Sequence, residues 1–213
     1  MASTLTLTRA HERSRPSTRV PGVLLFVLAA GFMTVIMVAA SMAPGYDAQG
    51  GAISDLGVIG QTAALFNVTL LAVGLLNIVG GYLLYRTHGR AWVFAIYLMA
   101  GLGAFGAGLV PLNVGDIHGI FALVAFLFFN VEALSGAAIA TGPMRWVSAV
   151  AGLMGLAFVV VMVLGDAGNP GVFGPIGHGG AERMIVYPAM LWLMAFGGYL
   201  MAGLSDAEGD GRG

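Results

Sequence analysis

The sequence predicts an all-α integral membrane protein, built as a compact six-helix transmembrane bundle. Of its 213 residues, 58% are hydrophobic and only 9% are charged, whereas a soluble domain usually carries about 25% charged residues. The apolar residues are gathered in six segments, each close to the roughly 20 residues that a helix needs to cross a bilayer. A chain of this composition could not cover its surface with polar groups in water, so its first partner is the lipid bilayer.

The six predicted spans form one membrane domain, residues 20–204, between two polar tails. They cover about residues 20–42, 62–85, 91–110, 117–140, 145–164 and 181–204. The first span is longer than the apolar core of a signal peptide, which has about 7–15 residues, so we predict that it is retained. Residues 1–19 and 205–213 are predicted to be disordered tails because they are polar and have no apolar face to bury.

The arginines predict the orientation of the bundle. Arg86, Arg90 and Arg145 lie in or beside the second and fourth connections, and four more arginines precede the first span. Positive residues near the ends of spans favour the cytoplasmic side of a membrane. The sequence therefore predicts a multi-pass protein of the cell membrane with both termini in the cytoplasm and with its first, third and fifth connections outside.

Two missing residue types exclude several classes of chemistry. The chain has no cysteine, which excludes disulfides, thiolate metal sites and cysteine nucleophiles. It has no lysine either, so a Schiff base of the retinal type is excluded. The net charge of −1 gives no indication of nucleic-acid binding. Composition predicts neither a named cofactor nor an oligomeric state.

Arg183 departs from the charge pattern, because it lies in the first turn of the sixth span at the outer end. A charge at membrane depth normally has a partner. Its neighbour Glu182 points about 100° away on a helix, so we expect a carboxylate from another segment. The candidates are Asp55, Asp116 and Asp166. Arg183 then either forms a structural ion pair or binds an anionic headgroup or another small-molecule ligand.

Two histidines and several carboxylates also fall at the outer end. Asp116 precedes the fourth span, where its carboxylate can cap the helix, and His118 lies in the first turn. His178 and Glu182 are four residues apart, which places them on one helix face. A divalent metal such as zinc could be bound there, with His118, His178 and Asp55 as its ligands. Alternatively, Asp116 is only a cap and both histidines are ordinary residues of the membrane interface.

A hydrolase that needs no metal is a further hypothesis for the outer end. Ser54 is a candidate nucleophile, with His118 or His178 as its general base. Ser54 could instead cap a short helix from Ser54 to Ile59 in the first connection. The fifth connection, residues 165–180, holds seven glycines and two prolines, which predicts a shaped loop rather than a helix.

Glu132 is the one acidic residue in the interior of a predicted span. Carboxyl groups inside a bilayer are costly and are often functional. Counted along their spans, Asn77 and Tyr97 lie at a similar depth. We therefore predict a hydrogen-bonded layer of these three residues, which is either a proton relay or substrate-cavity floor, or a protonated carboxyl group that joins helices.

Short motifs in and near the outer connections resemble those of a known family. They are Tyr46, Ile53-Ser54-Asp55-Leu56-Gly57, Leu65-Phe66-Asn67, Pro111 with His118, Gly180-Ala181-Glu182-Arg183, and Leu191-Trp192. Together they are similar to the uncharacterised membrane family called domain of unknown function 998, over most of residues 20–204. The resemblance implies a compact bundle of about six helices, and it brings no established activity. It also implies a site, because Ser54, Asp55, His118, Glu182 and Arg183 coincide with motif positions.

Three functions follow from these patterns. The first is a hydrolase or lipid-modifying enzyme with Asp55, Asp116, His118 and Glu182 as metal ligands or acid–base groups. The second is a small transporter or ligand-binding protein that uses Glu132. The third is a structural or accessory bundle without catalysis.

Overall fold

The computed structural model describes residues 17–203, which form six long helices and three short 3-10 helices. The long helices are α1 (Arg19–Met42), α2 (Ala63–His88), α3 (Ala91–Leu109), α4 (Ile117–Ile139), α5 (Gly142–Asp166) and α6 (Gly177–Met201). Each is long and apolar enough to cross a membrane, so the predicted all-helical bundle of six spans is confirmed. The predicted tails lie outside the described residues, apart from the three residues 17–19.

The six helices form a closed ring, in which each helix packs against its neighbours in the chain and α1 packs against α6. The seam between α1 and α6 is tight, because a Cβ atom on Gly197 would lie 2.6 Å from the carbonyl oxygen of Gly22. Small residues let membrane helices approach in this way. Thr18 Oγ1 donates to the carbonyl of Leu200 over 2.8 Å, so both ends of the described chain lie at the same end of the bundle.

The two ends of the ring differ in charge. Arg19, Arg86, Arg90 and Arg145 lie at the end where α1 begins and α6 stops, which we call the arginine end. The opposite end, which we call the acidic end, carries the α1–α2, α3–α4 and α5–α6 connections. Its acidic residues are Asp47, Asp55, Asp116, Asp166 and Glu182. The sorting of charges seen in the sequence is therefore a property of the folded bundle.

The α5–α6 connection is largely helical, so the shaped loop predicted over residues 165–180 is wrong. Helix α5 continues to Asp166, a 3-10 helix covers Pro170–Ile176, and α6 follows directly. Gly168 and Gly174 have positive φ angles, a conformation that glycine adopts without steric cost. The glycines therefore turn the chain at separate points and leave short helices between them.

The α1–α2 connection carries the 3-10 helix Ile53–Gly57, which we call the roof helix. The N–H of Ala52 donates to Asp55 Oδ2 over 2.9 Å, so the roof helix begins after Ala52. Ser54 lies inside it, and the prediction that Ser54 caps a helix is wrong. Asn67 Nδ2 of α2 donates to the last carbonyl of the roof helix over 2.9 Å, which holds the segment on the bundle.

Candidate functional site

The ring encloses a cavity of about 70 Å³ in its acidic half. Helices α1, α2, α3, α4 and α6 form its walls, and Ile53 and Ser54 of the roof helix complete the lining. The lining is mostly apolar, and small side chains such as Ala104, Ala122 and Ala189 leave the space open. Its polar residues are Ser54, His118, Asn130 and Glu182. A mostly apolar pocket with a few polar groups is the usual form of a small-molecule site.

His118 lines this cavity and has one ring nitrogen without a protein partner. The side chain is only 3% exposed, and its Nδ1 lies 2.7 Å from the carbonyl oxygen of Val110. Because a carbonyl only accepts, Nδ1 carries the hydrogen in the neutral ring and Nε2 keeps a free lone pair. Nε2 is buried and has no protein partner. The structure thus places an unpaired imidazole nitrogen in the first turn of α4, beside the cavity.

Asp116 stands at the N-cap position of α4 without capping it through its side chain. Its backbone is helical, with φ −60° and ψ −20°, and its carboxylate makes no cap hydrogen bond. A capping side chain reaches the helix from a non-helical, usually extended backbone, so the predicted side-chain cap is wrong. Asp116 is exposed and does not line the cavity, so it is not brought together with the other predicted catalytic residues.

Glu182 joins α6 to the roof helix. It is 4% exposed, lines the cavity and accepts a hydrogen bond from the N–H of Ile53. The two residues are 129 positions apart in the chain. The predicted catalytic residue Glu182 therefore lies at the cavity, and it also fixes the first residue of the roof helix.

Arg183 is satisfied by backbone oxygens rather than by a carboxylate. Its Nη1 donates to the carbonyls of Ala48 over 2.7 Å, Gly179 over 2.8 Å and Gly51 over 3.3 Å. Its Nη2 donates to the phenol oxygen of Tyr46 over 2.6 Å. In the described part of the chain Arg183 has no ion pair with any acid, so the expected carboxylate partner is wrong.

Tyr46 completes this arrangement. Its hydroxyl accepts from Arg183 and donates to the carbonyl of Ala52 over 2.8 Å. Burial raises the pKa of Tyr46, and the hydrogen bond from Arg183 offsets only part of that increase. The side chain therefore remains a phenol at neutral pH, with a hydrogen to donate. Tyr46, Glu182 and Arg183 together hold the α1–α2 connection on α6, and we call these three residues the latch.

Asp47 shapes the turn beside the latch. Its carboxylate accepts from the N–H groups of Gln49 over 3.0 Å and Gly50 over 2.9 Å, which lowers the pKa of Asp47. Gln49 Nε2 then donates to the carbonyl of Pro175 over 2.6 Å, and the Gln49 carbonyl accepts from the N–H of Gly179 over 2.9 Å. The α1–α2 and α5–α6 connections are thus tied together by backbone and amide contacts.

The predicted metal ligands are not assembled. His178 Nε2 lies 3.3 Å from Asp166 Oδ1, and both side chains are exposed. Neither residue lines the cavity that holds His118. Asp55 is engaged in the cap of the roof helix. Within residues 17–203 no group of three or more histidine and acidic side chains is arranged to hold a metal ion. His118, His178 and Asp55 therefore do not form the predicted ligand set.

The predicted polar layer is present, but it lies apart from the cavity. Asn77 Nδ2 donates to Glu132 Oε2 over 2.9 Å and to the Tyr97 carbonyl over 3.0 Å. All three residues are fully buried, and none lines the cavity. Tyr97 joins the layer through its backbone, because its hydroxyl has no partner. Glu132 is therefore brought together with its predicted neighbours and is separate from Ser54, His118 and Glu182.

Asn130 lines the cavity and was missed from the sequence. Its Nδ2 donates to the carbonyl of Phe126 over 2.8 Å and to that of Ile185 over 3.1 Å. The second carbonyl belongs to α6, so Asn130 joins α4 to α6. The sequence did contain a signal for Asn130, because it is an amide in the middle of an apolar span, two residues before Glu132.

The family comparison agrees with the motifs at the acidic end. No curated protein and no solved structure matches this chain. The family described as "Protein of unknown function (DUF998)" matches residues 26–199, which include the roof helix, all cavity walls and the latch. The chain therefore belongs to the DUF998 family, whose function is unknown.

Proposed function

We propose that this protein is a membrane receptor or carrier for a lipid-like molecule, and that the cavity is its binding site. The apolar lining would receive a hydrocarbon chain, and the polar residues at the acidic end would contact its head. The observation that carries the proposal is an apolar cavity whose polar residues include His118, with a buried nitrogen that has no protein partner.

A cavity of this kind lowers the stability of the fold, so a purely structural role does not explain it. A void removes packing contacts from its walls and lowers stability, and an apolar void does not gain stability from bound water. About 10–15 Å³ of such space holds one water, so about 70 Å³ accommodates several heavy atoms of a narrow chain. Binding of a ligand accounts for both the space and the unpaired nitrogen of His118.

The proposed orientation follows from the arginines. Those of the described chain lie at the arginine end, with Arg183 as the exception, and positive residues favour the cytoplasm. The termini are accordingly proposed to be cytoplasmic and the roof helix to face the outside of the cell membrane. The cavity would then exchange its ligand at the outer leaflet.

The test is to fill the cavity and measure co-purified lipid. Ala122→Phe places a large side chain in the wall of α4, whereas Ala157→Phe places the same side chain on the exposed face of α5. Protein is purified in mild detergent, and retained lipids are identified by native mass spectrometry. We expect a retained molecule with the parent and with Ala157→Phe, and its loss with Ala122→Phe. Equal retention by all three proteins would refute the proposed site.

A second function, a hydrolase that needs no metal, is favoured by one observation. Ser54 and His118 line the same cavity, and the free Nε2 of His118 has the form of a general base. Ser54 Oγ would attack an ester carbonyl while Nε2 takes the hydroxyl proton and passes it to the leaving alcohol. A fluorophosphonate probe should then label Ser54, and labelling should disappear with Ser54→Ala or His118→Ala but persist with His178→Ala. Absence of labelling in the parent would leave binding as the function.

A further inference from the structure

We infer that the ligand of this cavity has a head that donates hydrogen bonds and carries no negative charge, namely an aliphatic alcohol or amine. The inference rests on the proposed binding function and specifies its ligand class. It follows from which polar atoms at the cavity are already paired and which remain free.

In its neutral form His118 offers an acceptor and no donor. Its Nδ1 hydrogen is used by the carbonyl of Val110, and Nε2 has no protein partner. A buried acceptor without a partner is costly, and a hydroxyl or amine N–H from a ligand would satisfy it. A carboxylate or phosphate oxygen in the same place would face the lone pair of Nε2 and be repelled.

The N–H donors along the cavity wall are consumed by the protein. Asn130 has two amide hydrogens, and Nδ2 makes two hydrogen bonds, to the carbonyls of Phe126 and Ile185. The N–H of Ile53 donates to Glu182. Among the polar side chains that line the cavity, the hydroxyl of Ser54 can still rotate to donate, and Glu182 has a hydrogen to donate only when its carboxyl group is protonated. An anionic head requires several donors, and this wall provides one, or two when Glu182 is protonated.

Within the described part of the chain, the cavity lining also has no arginine, because the guanidinium of Arg183 is bound elsewhere. Arg183 is the cation nearest in sequence to Glu182, but it is not part of the cavity lining. Its guanidinium donates to backbone carbonyls of the connections and to Tyr46. The lining instead contains the carboxyl group of Glu182, which bears no positive charge in either protonation state. The sequence suggested that Arg183 binds an anionic headgroup. The arrangement of the cavity instead favours a ligand whose head is neutral or cationic.

The experiment compares four photoreactive probes of equal chain length on the full-length protein in nanodiscs. Each carries a diazirine at the chain end, and the heads are a hydroxyl, a primary amine, a carboxylate and a phosphate. Cross-links are mapped to peptides by mass spectrometry and are competed with the matching non-photoreactive molecule. We expect α4 and α6 cavity peptides to be labelled at least about tenfold more by the alcohol or the amine than by either anion, as one unpaired buried group implies.

Two variants tie the selectivity to the cavity atoms. His118→Ala should lower alcohol and amine labelling by about tenfold, whereas His178→Ala, a histidine at the same end outside the cavity, should not change it. Glu182→Gln keeps an acceptor for Ile53 and adds an amide donor, so it should increase carboxylate labelling. An increase in carboxylate labelling can be seen only if the Glu182→Gln protein is folded. The inference can therefore still be tested if His118→Ala does not fold.

The outcomes separate the inference from the function on which it rests. Preference for the alcohol over the amine, or the reverse, identifies the head within the inferred class. Equal competed labelling by all four heads, or stronger labelling by an anion, overturns the inference and leaves lipid binding in place. No competed cross-link to cavity peptides with any probe overturns the proposed function itself.

Discussion

Arg183 of α6 donates a 2.6 Å hydrogen bond to the phenol oxygen of Tyr46, a residue 137 positions earlier in the chain. The guanidinium also lies over the tyrosine ring, with Cζ 5.8 Å from the ring centroid. Through this pair the last helix of the ring holds the first long connection. Because the roof helix lies in that connection, its position depends on a contact at the rim of the cavity rather than inside it.

Replacing Tyr46 by phenylalanine should loosen the latch while keeping the ring in place. The change removes the bond from Arg183 and the bond to the carbonyl of Ala52, so we expect a loss of about 1–3 kcal/mol in local stability. Hydrogen–deuterium exchange of residues 46–57 should accelerate accordingly. Tyr82→Phe is the control, since its hydroxyl accepts from Arg86 over 3.1 Å at the arginine end. Equal exchange in parent and Tyr46→Phe would show that the roof is held by other contacts.

The turn made by Asp47 should weaken in acid. Its folded-state pKa lies below the ordinary value of 3.8, so its contribution to stability is fully present above that value and is lost as the pH falls through the folded pKa. Asp47→Ala should therefore lower the unfolding temperature at pH 6, and the difference from the parent should shrink at lower pH. Asp116→Ala serves as the control, because its carboxylate makes no cap bond. A difference that grows in acid would contradict the assignment.

The stability of the buried layer should depend on the amide of Asn77 more than on a charge on Glu132. Asn77→Ala leaves the carboxyl group of Glu132 without its hydrogen bond and should cost about 1–3 kcal/mol. Glu132→Gln keeps an acceptor for Asn77 and should be tolerated. Both are measured by unfolding in detergent micelles, with Thr69→Ala, a half-buried threonine of α2 outside the layer, as the reference. Stronger destabilisation by Glu132→Gln than by Asn77→Ala would point to a role for the ionised acid.

The proposed orientation can be tested directly, because the chain has no cysteine. Gly60 lies in the α1–α2 connection and has no atom within 4 Å of the position of an added Cβ, so Gly60→Cys should be harmless. We expect a membrane-impermeant maleimide to label Gly60→Cys on intact cells and Arg145→Cys only after permeabilisation. The reversed pattern would place the roof helix in the cytoplasm.

Features that depend on depth in the membrane could be predicted from the sequence. Rise per residue is constant in a helix, so counting along each span placed Asn77, Tyr97 and Glu132 in one layer, as the structure has them. The six spans follow from the same regularity of apolar length. Helix lengths and depths in the membrane depend only on the number of residues along each span, so they can be counted from the sequence.

Contacts between connections could not be predicted in the same way. The partners of Arg183 are mainly carbonyl oxygens, which every residue carries, so no side-chain pattern indicates them. Likewise, His178 and Glu182 have the spacing of one helix face, yet His178 is exposed beside Asp166 while Glu182 is buried at the roof helix. Which side of α6 faces the ring is set by the packing of its neighbours, and that depends on the whole bundle.

The seam between α1 and α6 also joins the earliest and the latest helix of the ring in chain order. The wall that α6 supplies to the cavity is therefore the last of its five helical walls to be synthesised. The contacts of Glu182 and Arg183 with the first connection can form only after that. The roof helix is thus fixed over the cavity only once the whole ring has been made.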